Sequence, residues 1–455
     1  MRTLVLRDLR EHVASRLGPF LAIVVATIVV GFGVAWIDTA VRVGGDRAQT
    51  LTTTGVSVLV GSLIAAALVI GSVMKLSSGL RQRDYALWQL AGIAPDAVRR
   101  IVVWQGIVIG VLGAAVGCVG AALVAPSLGA LLSEPLSSPD PHLSLSVGGF
   151  TVVIAVIGGV TALSSLPAAR RAARTPALIV LREPAPSLGR MRWFSVAILV
   201  LLLGAVALVV SRMTSGDRAE TVYLGILLGP LIAAALSAAG PLVFPFVLNA
   251  WTAVVPPRTS LAWFLARRGA QLKALQASAG ITALLLALTF VSTFFAVTGT
   301  ATNAIALTGE VSIDYYAFGS PASFATLALL VGGPVLLSAV GAAVVVFVAG
   351  RDKNREIALL RASGVRTPRV LAVAVLEAVI HAVTALILAL VSVGTASLVV
   401  ALGFLPRTGT LVTPVVPLEV LLPAFCAAFV LVVAATLLPT IAALRRDVPE
   451  ALSAT

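Results

Sequence analysis

Ten apolar runs leave this chain few folds to choose from. They fall at approximately 20–37, 55–74, 101–125, 148–166, 194–211, 222–247, 278–298, 322–349, 370–402 and 418–442. A helix needs about 17–25 apolar residues to cross the hydrocarbon of a bilayer, and every run has that length. The run at 370–402 is long enough to tilt or to extend past the membrane. Composition agrees: 59% of the 455 residues are hydrophobic and 11% charged, where a soluble domain carries about 25% charged residues. The expected fold is an all-α integral membrane protein of about ten transmembrane helices.

Lysine and arginine set the direction of those helices. With both termini in the cytoplasm, 27 basic residues fall inside and five outside, namely Arg42, Arg47, Arg212, Arg218 and Arg407. The acids split nine and nine, with Glu377 left inside a run. This is the positive-inside pattern of a multi-pass plasma-membrane protein. The net charge of +13 therefore reads as topology and contact with anionic lipid head groups. A nucleic-acid surface would need concentrated basic residues interleaved with aromatics, and no such stretch stands out. The first run follows an Arg-rich start but is too long for the apolar region of a cleaved leader and lacks an A-x-A site, so a retained helix is expected. Cys118 and Cys426 both lie in apolar runs and read as packing residues.

A short charged segment occurs twice in register, "RDYALWQLAGI" at 83–93 and "REIALLRASGV" at 355–365. Each copy has two apolar runs before it and two after. Each set of four closes on a basic stretch, "LPAARRAARTPAL" at 166–178 and "LPTIAALRRDVPEAL" at 438–452, and opens on a basic amphipathic lead-in, "LRDLREHVASRL" at 6–17 and "LAWFLARRGAQLKAL" at 261–275. Six spans separate the copies, an even number, so the halves share one orientation as a parallel repeat. The expected organisation is a four-span block at 1–183, a two-span insert at 184–257 and a second four-span block at 258–455.

The repeated segment reads as a short cytoplasmic helix. Glu356 and Leu360 lie one turn apart, as do Ile357 and Arg361. Gly92 before Ile93, and Gly364 before Val365, are glycine stops with a hydrophobic residue following. Pro95 and Pro368 stand ready to start the next helix. A plain connector takes about four to six residues. A charged helix placed twice in this position looks built to touch something in the cytoplasm.

"REIALLRASGV", followed by an apolar run containing Glu377, resembles the signature of the FtsX/MacB-type permeases of ABC transporters. The resemblance covers both four-span blocks. The first copy departs from it, with Tyr85, Trp88 and Gln89 standing where Ile357, Leu360 and Arg361 are, and Gln105 where Glu377 is. The ten-span layout is similar to the fused permeases of peptide-antibiotic resistance systems. The resemblance implies a permease subunit whose two loops dock on a separate cytoplasmic ABC ATPase, a dimer, through Arg83, Asp84, Leu87 and Gly92 and through Arg355, Glu356, Leu359, Arg361 and Gly364. It implies that ATP is bound by the partner, with no cofactor held by this chain. Members with a large extracytoplasmic domain differ from this sequence, whose longest outer loops, about 127–147 and 299–321, are near 20 residues each. That points to a client already in the membrane: a lipid, a lipopeptide or an amphipathic antibiotic.

The residues agree that the motor lies elsewhere. A P-loop needs a lysine that follows a glycine, and none of Lys75, Lys273 and Lys353 does. No G-x-S-x-G, H-E-x-x-H or Cys/His cluster is present. Glu377 and His381 lie one turn apart within a span, where an ionisable pair is a functional candidate. They fit either a buried packing contact or a proton relay. Two alternatives follow, an ATP-independent secondary transporter using Glu377 and a substrate-free transmitter acting on cell-wall enzymes. The outer acids Asp38, Asp46, Glu134, Asp140, Glu310 and Asp314 fit loop solvation or attraction of a cationic peptide; His12 and His142 read as solvated.

Overall fold

Hydrocarbon offers no water to bond the backbone, so a spanning segment must satisfy its own N–H and C=O groups. The computed structural model meets that demand with helices throughout. It describes residues 13–133, 143–174, 193–215, 218–256, 260–272, 274–308, 327–345 and 366–444. In chain order the helices are α1 (Val13–Val43), α2 (Gly45–Leu80), α3 (Gln82–Leu90), α4 (Pro95–Ser133), α5 (Val147–Arg174), α6 (Trp193–Ser215), α7 (Arg218–Ala238), α8 (Gly240–Thr252), α9 (Leu261–Leu272), α10 (Ala274–Thr308), α11 (Ala328–Val345, opening on a π-helical turn at Ala328–Gly332), α12 (Thr367–Thr408) and α13 (Leu418–Leu444). Nine of them have the length and hydropathy of a membrane span, and apolar α13 completes the ten expected runs. No strand occurs among the described residues.

Two features depart from the runs read in sequence. The run at 222–247 is not one helix but two, broken at Ala239. Pro241 lacks the N–H that would continue the ladder, and its ring displaces the carbonyl one turn back. The run at 370–402 extends through 42 residues of α12. At 1.5 Å per residue that is about 63 Å, roughly twice the hydrocarbon thickness, so α12 projects well beyond the membrane.

Helices α1, α2, α4 and α5 pack on one another as one unit. Helices α10, α12 and α13 pack as a second. Helix α11 enters the seam between them: Gly341 lies against Val69 of α2, Gly333 against Val29 of α1, and Gly280 of α10 faces Val345. Helix α7 rests mainly on α10 and α12, with α6 outside it. Small residues at these crossings let the backbones approach where lipid supplies no hydrophobic drive.

The units repeat one detail with different chemistry. In each, an extended segment leads into the last helix and is fastened to the first. In the first unit the segment is 143–146. Arg42 of α1 donates to the Ser144 hydroxyl and, at 2.7 Å, to the Ser144 carbonyl, while Asp38 accepts the Ser146 N–H. Ser146 in turn accepts the Gly149 N–H at 3.1 Å, capping α5. Asp38, one of the outer acids, is thus committed to holding a helix entry. In the second unit the segment is 411–417. The Thr300 hydroxyl of α10 accepts the Val415 N–H at 3.1 Å, and Ser397 of α12 donates to the Val415 carbonyl at 2.9 Å. Asn303 reaches the Thr413 carbonyl at 3.2 Å.

The charged fastening is the one a single change can test. Arg42→Ala is expected to lower stability by about 1 kcal/mol, less than hydrogen bonds to a charged group usually contribute because the site is exposed. The drop should appear in the thermal unfolding midpoint in detergent, while Arg47→Ala on the same side serves as the comparison.

Candidate functional site

The end of the bundle carrying most of the lysines and arginines presents one compact feature among the described residues, helix α3 with the turn after it. The turn follows from its glycine. Gly92 adopts φ +89°, a conformation that strains any residue with a Cβ. This lets the Gly92 N–H reach the Gln89 carbonyl and the Ile93 N–H reach the Trp88 carbonyl, both at 3.0 Å. Ile93 then packs beside Trp88, completing a Schellman stop. Pro95 opens α4, as Pro368 opens α12.

Helix α3 has an inward and an outward face. Tyr85 and Ala86 are buried, and Tyr85 and Trp88 pack on Val98 and Val102 of α4 and Ala169 of α5. The two rings meet edge to face, 5.6 Å between centroids. Arg81 is buried just before the helix, its guanidinium 5.6 Å over the Tyr85 ring and its Nε 3.8 Å from Asp84. Leu87 and Leu90 point away from this core and are 51% and 55% exposed.

This division explains how the two copies of the segment differ. Tyr85 and Trp88, two of the three departures from the second copy, lie on the packing face. Leu87, identical to Leu359 in the second copy, lies on the free face. Arg83 belongs to α3 and Asp84 is half exposed beside Arg81. Arg355, Glu356, Leu359, Arg361 and Gly364 lie outside the described residues. Leu90 was not among the sequence candidates, although its spacing from Leu87 puts it on the same helical face.

The intramembrane polar residues sit further along the following helices. Gln105 of α4 and Glu377 of α12, in register in the repeat, are both buried. Glu377 faces α9. A Cβ on Gly269 would come within 2.5 Å of the Glu377 Oε1, so only glycine lets the carboxylate sit this close to the α9 backbone. Around it, Trp263, Ala266 and Ala270 of α9 pack with Val373 and Ile380 of α12 and Leu248 of α8. Trp251 of α8 donates to Thr384 at 3.0 Å and meets Trp263 edge to face. Glu377 therefore sits in the contact between an amphipathic helix and a span, with His381 half-buried one turn on. No group of three or more His, Cys, Asp or Glu able to hold a metal occurs among the described residues.

Comparison with known proteins accounts for the repeat. A model of the FtsX-like permease C-terminal region matches twice, at residues 56–177 and 328–448. Each match contains one copy of the charged segment, and together they cover more than half of the chain. No curated protein matches it. Permeases of this kind work with a separate ABC ATPase. A bundle of apolar helices, with the clamped helix α3 between its second and third spans and a second copy of that segment 272 residues on, is what a double match to such a model describes: the chain belongs to the FtsX-like permease family and is the membrane component of an ABC-type transporter.

Proposed function

We propose that this chain couples ATP hydrolysis by a dimeric cytoplasmic ATPase to export or extraction of a membrane-embedded or amphipathic substrate. The observation that carries the proposal is the pair Leu87 and Leu90, held outward on a helix that Tyr85 and Trp88 clamp to α4 and α5. A two-residue apolar face, exposed beyond the spans and beside charges, fits a docking contact. Its second copy, which keeps Leu359 at the Leu87 position and has Ala362 at the Leu90 position, offers the other half of a two-fold motor a smaller grip. Both termini and both loops lie in the cytoplasm of a plasma-membrane protein, as the basic residues direct. The functional units are the blocks at 1–183 and 258–455, joined by the insert at 184–257.

The test is copurification of the full chain with an ABC ATPase encoded beside its gene, with hydrolysis assayed in nanodiscs. A stable complex is expected, uncoupled by charge reversal at Arg355 and Glu356 and indifferent to Glu377→Gln. A chain that transports without an ATPase, and loses transport on Glu377→Gln, would instead be a secondary carrier.

A further inference from the structure

Helices α8, α9 and α12 close a triangle of contacts. In the chain α9 leads into α10, yet it rests mainly on α12. Its Trp263, Ala266 and Ala270 pack with Val373 and Ile380 over about two turns of each helix. Within that stretch Gly269 meets the Glu377 carboxylate. Helix α8 is tied to both partners. The Trp251 indole N–H donates to the Thr384 hydroxyl of α12, and the Trp251 ring stands 6.2 Å from that of Trp263 in α9. Gln271 of α9 donates to the Asn249 side-chain carbonyl of α8 at 2.9 Å.

Such a triangle resists sliding. Gly269 is the one residue of α9 without a Cβ, so moving α9 along α12 would bring a bulkier residue onto the Glu377 carboxylate. Moving α8 would take the Trp251 N–H from its acceptor among apolar neighbours, and a buried donor left unpaired is costly. The stretch of α12 enclosed in this way is the one nearest the second docking segment. That segment ends at Val365, α12 opens at Thr367, and Glu377 stands ten residues further on, about 15 Å along the helix. Long helices are rarely straight. A 42-residue helix loaded at its end carries displacement to its far end when its first turns are held from the side.

We infer that α8 and α9 are that brace, and that Gly269 and Glu377 are the positioning residues that seat it. Helices α8, α9 and α12 then move as one body when the ATPase draws on the second docking segment. This rests on the docking reading given above. The fit at Gly269 is one of shape, so Glu377→Gln, which keeps the outline of the side chain, leaves it intact.

The complex of the full chain with its ATPase tests this by double electron–electron resonance, without nucleotide and with ATP trapped by vanadate. Cys118→Ala and Cys426→Ala first remove the native thiols. One labelled pair, Leu261→Cys with Thr367→Cys, reports α9 against α12; both sites are exposed, and Leu261 lies at the end of α9 away from α10. The other pair, Thr367→Cys with Arg99→Cys, joins exposed sites on the two helices that follow the docking segments. The second distance is expected to shift between the two states while the first stays fixed. A first distance that shifts as well would overturn the brace and leave the docking reading standing. A second distance that stays fixed would sink the docking reading, and the brace with it. Neither result needs a variant at the contact to fold. Gly269→Ala should let the first distance vary between states and abolish stimulation of hydrolysis while copurification persists. Adding Glu377→Asp, which draws the carboxylate back by one methylene, should restore both. A first distance still fixed in Gly269→Ala, with stimulation intact, would remove Gly269 and Glu377 from the role.

Discussion

Leu87→Asp combined with Leu90→Asp is expected to release the ATPase and return its hydrolysis to the rate of the isolated subunit. The expectation rests on what the two leucines do not touch. Both are more than half exposed, so the permease itself loses little packing and should be recovered in normal yield. Removing a hot-spot side chain at the centre of an interface costs about 2 kcal/mol or more, which would weaken binding roughly 30-fold for each of the two leucines that acts as one. A buried carboxylate facing an apolar partner surface adds a desolvation penalty to that loss. Two loops engage one ATPase dimer in the proposed arrangement, so losing one also forfeits the gain from joined sites. Tyr85→Ala is the informative contrast. It empties the inward face, which by large-to-small precedent costs about 3 kcal/mol or more, and should lower the yield and thermal midpoint of the permease before any partner is added. If the double aspartate variant still copurifies and still stimulates hydrolysis, the free face of α3 is not the contact.

Much of this arrangement follows local rules, and that part is readable from the sequence. Apolar length gives the spans, and each of the ten runs contains helix. Glycine before a hydrophobic residue gives the stop at Gly92, and Pro95 and Pro368 give the helix starts. The break at Ala239 has a local cause too, Pro241. Spans tolerate proline so often, as α1, α4, α5 and α7 do here, that the residue alone does not announce a break. What escapes is contact across long separations. Asp38 meets Ser146 from 108 residues away, Thr300 meets Val415 from 115, and Gly269 yields space to Glu377. No local pattern marks those pairs, because serine, threonine and glycine are common in spans. The free face of α3 lies between these cases. Its two leucines obey helical spacing, but the charged residues of the motif draw attention first.

Gly229→Ala is expected to destabilise the chain by about 1–3 kcal/mol, the usual range for overpacking a core. A second change, Thr293→Ala, should recover most of the loss. Gly229 lies where α7 crosses α10, and a Cβ there would stand 2.0 Å from the Thr293 hydroxyl oxygen and 2.7 Å from its methyl carbon. The backbone cannot simply back away, because the Gly229 carbonyl accepts the Ser392 hydroxyl of α12 at 2.8 Å. Thr293 is fully buried, and its hydroxyl finds no partner among the described residues. Truncating it alone removes an unpaired polar group along with a methyl, so the single variant should be close to neutral. The two changes should therefore be strongly non-additive, as residues in contact are. Thermal midpoints by fluorescence-detected size exclusion, at one heating rate, measure this. A double variant as fragile as Gly229→Ala alone would mean that the cost arises elsewhere, in the α7 backbone or its bond to Ser392. Helix α12 starts just beyond the second copy of the loop and carries Glu377 and Ser392 in turn. Gly229 of α7 thus touches α10 at Thr293 and α12 at Ser392.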